Sequence, residues 1–163
     1  MSRLVELNVK IDAFFTRVEN RHGDDMQCGS GCSDCCHARL TITGAEATAI
    51  RSEIAAWPAP RREALVGNVA AGPLDRCAAL DPAGRCLIYE ARPVVCRSHG
   101  APIRMRIDSL PVVQSCYRNF THTTPDPDCV IDQETLSTLS LAVDRAQGGD
   151  GTRIDLATLL GTM

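Results

Sequence analysis

The stretch "CGSGCSDCC", Cys28 to Cys36, sets four cysteines within nine positions. Three chemistries use thiols at that density: disulfides, a structural metal, or a reactive metal or iron–sulfur centre. Gly29 and Gly31 let the backbone turn sharply, so sulfurs close in sequence can converge. The flanking residues are Gly, Ser and Asp, which is not the apolar setting of a buried structural thiol.

The other cysteines narrow the choice. Nine are present, so full pairing leaves one over. The start, "MSRLVELNVKIDAFF", carries Arg3, Glu6, Lys10 and Asp12 where a secretory leader needs an apolar run. No window has the roughly 18 apolar residues of a membrane helix. The expectation is a soluble, cytoplasmic protein, a reducing setting in which a disulfide framework is rare. Net charge is −3 with no long basic run, so nucleic acid is not an expected partner.

The length of 163 residues suits one domain, spanning 1–163. Apolar residues make up 44% but aromatics only 4%, so aliphatic side chains must fill the core. Leu4, Leu7, Ile11, Phe14 and Val18 recur at helical spacing and predict a helix over about Leu4 to Arg21. Thr43 and Glu46 form a capping box before a second helix with Ile50, Ile54 and Trp57 inward. Pro58 and Pro60 are expected to stop it. A weaker helix follows over about Arg61 to Ala71, with Leu65 and Val69 inward. Asp81, Pro82 and Gly84 suit a type I turn between Cys77 and Cys86. Pro93 can open a short helical turn carrying Cys96 and Arg97. Ile103, Met105 and Ile107 alternate with Arg104 and Arg106, the period of a strand, and "PVVQSC" pairs back on it. A further helix has Asp132 as N-cap and Leu136, Leu139 and Val143 inward, and "RIDLATLL" suits a last short helix or docking segment. The expected fold is therefore an α-rich small single domain of four to five helices with one short β-hairpin, organised around a cysteine metal centre. The motif-bearing region is 28–120, with helical extensions on both sides.

Eight cysteines form a coherent ligand set: Cys28, Cys32, Cys35, Cys36, Cys77, Cys86, Cys96 and Cys116. Thiolate is a soft ligand that selects zinc, copper(I) or iron–sulfur clusters over hard cations. Four ligands close one zinc site, and four thiolates also hold an iron–sulfur cluster. Eight can serve two ions or one polynuclear cluster. Cys35 and Cys36 are expected to serve different ions, or one of them to bridge two, because neighbours in an extended segment point to opposite sides. Cys28, Cys32 and Cys35 alone spell CxxxCxxC, the cluster signature of radical S-adenosylmethionine enzymes. The chain lacks the strand–helix alternation of that barrel, and Cys36 follows at once.

The order "CGSGCSDCC", "RCAALDPAGRCLIYEARPVVCRSHG", "SCYRNFT" resembles the CxxCxxCC cysteine-cluster family of zinc- or iron-chelating domains. The resemblance covers about Cys28 to Phe120, and the run from Cys86 to Arg97 is its most specific part. The family often has two residues between its first two cysteines, whereas here Gly29, Ser30 and Gly31 intervene. The resemblance implies metal binding through the eight cysteines, with zinc or iron, including an iron–sulfur cluster, as the cofactor. Flagellin lysine N-methylases resemble distant members, but no S-adenosylmethionine site accompanies the cluster here.

Arg92 and Arg97 flank Cys96 and could offset the negative charge of a thiolate site or donate to its sulfurs; equally, they could brace the fold. Tyr89 reads as core. His37 and His99 neighbour the cluster, but eight thiols already suffice. His22 and His122 read as solvated, and Cys129, beside Pro127 and Asp128, as a spare thiol. Two functions from different classes fit this pattern. One is a metal-binding protein with structural or sensory ions, more than one per chain. The other is an iron- or iron–sulfur-dependent enzyme acting on a peptide, protein or small molecule. A metal chaperone is a third.

Overall fold

The computed structural model describes residues 2–29 and 31–163. Ser30, within the first cysteine spacing, lies outside them. The chain is α-rich, with six α-helices and a small β component among the described residues. Its backbone contacts cluster into two compact units.

The first unit joins the segment through Gly29 to Val94–Val143. Helix α1, Arg3–His22, begins where the Ser2 hydroxyl accepts from the Val5 amide. Its stripe buries Leu4, Leu7 and Ile11 against Val94, with Leu136 and Val143 packed alongside. Lower down, Val18 meets Met26 and Cys129, flanked by Phe14, Phe15, Cys28 and Phe120. The short α4, Val94–Ser98, packs on α1. Strands β2, Ile103–Ile107, and β3, Leu110–Gln114, form the expected antiparallel hairpin. Asp108 and Ser109 turn it at φ 49° and 67°, left-handed values that a type I′ hairpin needs. A two-residue strand β4, Ile131–Asp132, adds in parallel to β2. Asp132 then accepts from the Thr135 amide at 2.8 Å and caps α5, Gln133–Ala146, as expected. Leu139 does not point inward: it is 47% exposed. The buried stripe of α5 is narrower than its apolar content, because only Leu136 and Val143 meet α1's core.

The second unit joins the segment ending at Pro93 to Asp144–Met163. Strand β1, Thr41–Ile42, pairs antiparallel with β5, Ile154–Asp155. Helix α2, Gly44–Ala55, starts with the predicted capping box between Thr43 and Glu46. Helix α3 spans Ala59–Ala71, and Pro60 lies in its first turn. Pro60 therefore opens α3 rather than stopping α2, since a proline early in a helix loses no intrahelical bond. Helix α6, Leu156–Leu160, closes the unit. Ile42, Ile50, Ile54, Leu65, Ile88, Leu156, Leu159 and Leu160 form its core, all at 2% exposure or less. Burying each such side chain contributes about 1.5–3 kcal/mol. Tyr89 is not part of this core: it is 55% exposed, with Arg92 stacked 3.7 Å from its ring centre. No helix among the described residues is long and apolar enough to cross a membrane.

Two carboxylates hold the second unit's helix starts. Asp144 is buried and accepts from the Ala45 amide at 2.8 Å and the Gly151 amide at 3.1 Å. It thereby satisfies a donor in the first turn of α2 that the helix itself cannot. Asp144→Ala should lower stability by about 1–3 kcal/mol. The expected reading is a lower urea midpoint at unchanged slope, with a smaller loss for Asp144→Asn. Asp155 caps α6 by accepting from the Thr158 amide at 2.8 Å. That bond first, then the Thr158 hydroxyl and Arg39, holds its carboxyl below the ordinary range against the cost of burial. A depressed folded-state pKa contributes stability above the unfolded value and loses it as pH falls. Asp155→Ala should therefore destabilise at neutral pH, and the difference should shrink below about pH 4 in thermal melts.

Candidate metal centre

The segment after Gly31 folds as a tight 3₁₀ turn, Asp34–Cys36, in which the Cys36 amide donates to the Ser33 carbonyl at 2.8 Å. The segment is therefore not the extended backbone expected to set Cys35 and Cys36 on opposite sides. Adjacent residues in a 3₁₀ turn lie about 120° apart around its axis. The two side chains are in fact joined by a hydrogen bond.

Cys77 and Cys86 are brought up by a second loop of the same unit. The Cys77 amide donates to the Cys36 carbonyl at 2.7 Å, so Cys77 is tied directly to the 3₁₀ turn. The predicted turn forms, with the Gly84 amide donating to the Asp81 carbonyl at 3.0 Å. Asp81 also accepts from the Arg85 amide at 2.8 Å. Leu80 and Cys86 meet across the loop as a β-bridge. From α3, the Asn68 side chain donates to the carbonyls of Ala78 and Leu80 at 3.0 and 3.1 Å.

Four thiols of this unit share one electrostatic neighbourhood. The Cys36 thiol is pushed far above its ordinary range, first by its hydrogen bond with Cys35. Burial adds to this, and then the charges of Cys35, Cys77 and Cys86. Burial raises Cys77, opposed by amide hydrogen bonds from Ala79 and Leu80. Burial also raises Cys86, opposed by the Ile88 amide and by the Arg92 guanidinium. Backbone donors and one cation are thus already aimed at sulfurs of the cluster. Such donors orient ligands and balance charge in metal sites.

The first unit carries Cys28, Cys96, Cys116 and Cys129. Asn119, only 3% exposed, organises two of these. Its side-chain amide donates to Cys28 Sγ at 3.2 Å and to the Gly100 carbonyl at 2.8 Å. Its backbone amide donates to the Cys116 carbonyl at 2.8 Å. Gly100 has φ +95°, and a Cβ there would fall 2.5 Å from Cys28 Sγ. Only glycine leaves room for that sulfur. The sequence reading missed Asn119; its one signal was an amide side chain three residues after Cys116. Cys96 sits half-buried on α4, which Arg97 braces to α1 through an ion pair with Asp12 at 2.7 Å.

Of the two arginines that flank Cys96, the Arg92 charge favours the Cys86 thiolate, and Arg97 pairs with Asp12. Cys32 is half-buried in the second unit. His37, His99 and His122 are exposed. His22 is not solvated as expected: its side chain is 13% exposed and stacks edge-on with Phe120. Cys129 is fully buried. None of the nine cysteines is in a disulfide.

The chemistry of Cys35, Cys36, Cys77 and Cys86, four soft thiols whose charges influence one another, suits a thiophilic cation. Consistent with that chemistry, residues 27–129 match the CxxCxxCC family model, described as "Putative zinc- or iron-chelating domain". The match spans more than half of the chain, which therefore belongs to this family of metal-chelating cysteine domains. No curated protein and no solved structure gives a match.

Cys77→Ser and Cys86→Ser should each lower the bound metal by one ion per chain. His37→Ala and His99→Ala, altering exposed rings, should retain the full content. Metal analysis of the four purified variants, normalised to protein, checks this.

Proposed function

We propose that the chain is a thiolate metal-binding protein holding zinc or iron through Cys28, Cys32, Cys35, Cys36, Cys77, Cys86, Cys96 and Cys116, with more than one ion per chain. The observation that carries this reading is the tie of the Cys77 amide to the Cys36 carbonyl at 2.7 Å, beside the mutual influence of the Cys35, Cys36, Cys77 and Cys86 charges. Four ligands close one site, and eight thiolates are enough for two. Because the 3₁₀ turn puts Cys35 beside Cys36, both can serve the same ion. Arg92 offsets part of the negative charge that thiolates leave on a divalent cation.

Such a centre supplies folding energy. Its ligands come from segments far apart in the sequence, Cys28 to Cys116, so the free energy of metal binding becomes free energy of folding. Protein purified without oxygen should contain two or more ions per chain. Stripping them with a chelator should lower the melting temperature and the far-ultraviolet circular dichroism signal. An absorption band near about 400 nm would assign thiolate-bound iron, and a colourless zinc-containing protein would assign zinc. An unchanged melting curve after complete metal loss would overturn the structural role.

A further inference from the structure

Within the first unit, a second group of ligand types converges outside the eight thiols. A nitrogen of His22, an oxygen of Asp126 and the sulfur of Cys129 all lie within 4.8 Å of one another. The three come from two places in the chain. His22 ends α1, while Asp126 and Cys129 flank the 3₁₀ turn Pro127–Cys129. The Cys129 amide donates to the Asp126 carbonyl at 2.9 Å, which closes that turn and sets both residues toward the helix end.

The imidazole is held in a defined state. Its Nε2 accepts the Asp126 backbone amide at 3.3 Å and stands 3.5 Å from the Asp126 carboxylate. Nδ1 faces the Asp25 carboxylate at 3.7 Å. A carboxylate behind the far nitrogen is the arrangement that orients histidine ligands in metal sites. Phe120 holds the ring edge-on at 5.2 Å between centroids. The thiol lies at the bottom, fully buried beside Val18 and Met26, while the Asp126 side chain is 53% exposed. The group therefore has an apolar floor and one side open to water.

We propose that His22, Asp126 and Cys129 form a mononuclear site for a zinc-class divalent cation, separate from the cysteine cluster, with water as its fourth ligand. One sulfur, one imidazole nitrogen and one carboxylate oxygen match zinc's ligand preferences and disfavour magnesium and calcium. Loading releases the Cys129 proton, and the Asp126 amide gives up Nε2 to the metal and turns to water. A divalent ion then exactly balances one thiolate and one carboxylate. The Arg21 guanidinium lies 3.6 Å from Asp126 and 2.7 Å from Asp128, an ion-pair partner outside the ligand set.

The site stands independently of the reading of the eight thiols, and the test separates them. The full chain is stripped anaerobically, reloaded with zinc alone, and counted by native mass spectrometry. His22→Ala and Asp126→Ala should each bind one zinc fewer than the parent, with unchanged circular dichroism. Cys129→Ser should do the same if it folds; the two more accessible variants decide the matter if it does not. Arg21→Ala, which removes the ion pairs but no ligand, should keep the parent count. Combining His22→Ala with Cys86→Ser should remove two ions where each alone removes one. Full zinc content in His22→Ala and Asp126→Ala would overturn the site. An equal loss in Arg21→Ala would also overturn it, by showing that the ion pairs and not the ligands are responsible.

Discussion

The constraint on which the cysteine centre depends is the cost of placing several thiolates close together in a partly buried loop. Cys36 feels Cys35, Cys77 and Cys86 at once, and each negative charge makes the next harder to form. Without a cation the cluster prefers its protonated form. With one, the same crowding would favour chelation, because a cation would replace mutual repulsion with metal–sulfur bonds. The amides directed at Cys77 and Cys86 and the Arg92 guanidinium favour the charged state before any ion arrives. The balance between burial, which opposes charge, and these donors, which support it, is what tunes such a site.

The rest of the second unit reads as support for that geometry. Its aliphatic core lies on α2, α3 and α6, yet it reaches the loop through Ala79, Leu80 and Ile88. Asn68 fixes the carbonyls of Ala78 and Leu80 and so holds the loop that follows Cys77. In the first unit Asn119 has the corresponding role, joining Cys28, Gly100 and Cys116. A buried polar side chain that satisfies several groups fixes one arrangement, since any shift leaves donors without acceptors.

Regular elements were legible in the sequence because their signals are local. The capping box at Thr43 and Glu46, the α1 stripe and the hairpin all rest on spacings of two to four residues. The failures have a common cause. Strands β1, β4 and β5 are two residues long and have no period to detect. Leu139 and Tyr89 are apolar or aromatic residues that the fold nonetheless leaves exposed. The backbone of the Cys35–Cys36 pair forms a 3₁₀ turn where an extended segment is expected. His22 and Cys129 are separated by more than a hundred residues, and no motif links them; only the folded chain makes them neighbours.

The two ligand groups differ in charge and in softness, and these differences bear on which ions each would retain. Four thiolates around a divalent ion carry a net charge of −2, so that centre depends on Arg92 and backbone donors for compensation. One thiolate and one carboxylate leave the His22 group neutral when loaded. A sulfur-only set favours soft ions most strongly, whereas a mixed nitrogen, oxygen and sulfur set tolerates harder ones. The cluster would therefore hold its metal through many soft bonds drawn from separate loops, and release would require unfolding them. The His22 group has three ligands, one of them on an exposed side chain, and exchange there would need only local rearrangement. A single chain would thus present one tightly held, fold-coupled class of metal and one class open to the surrounding solution.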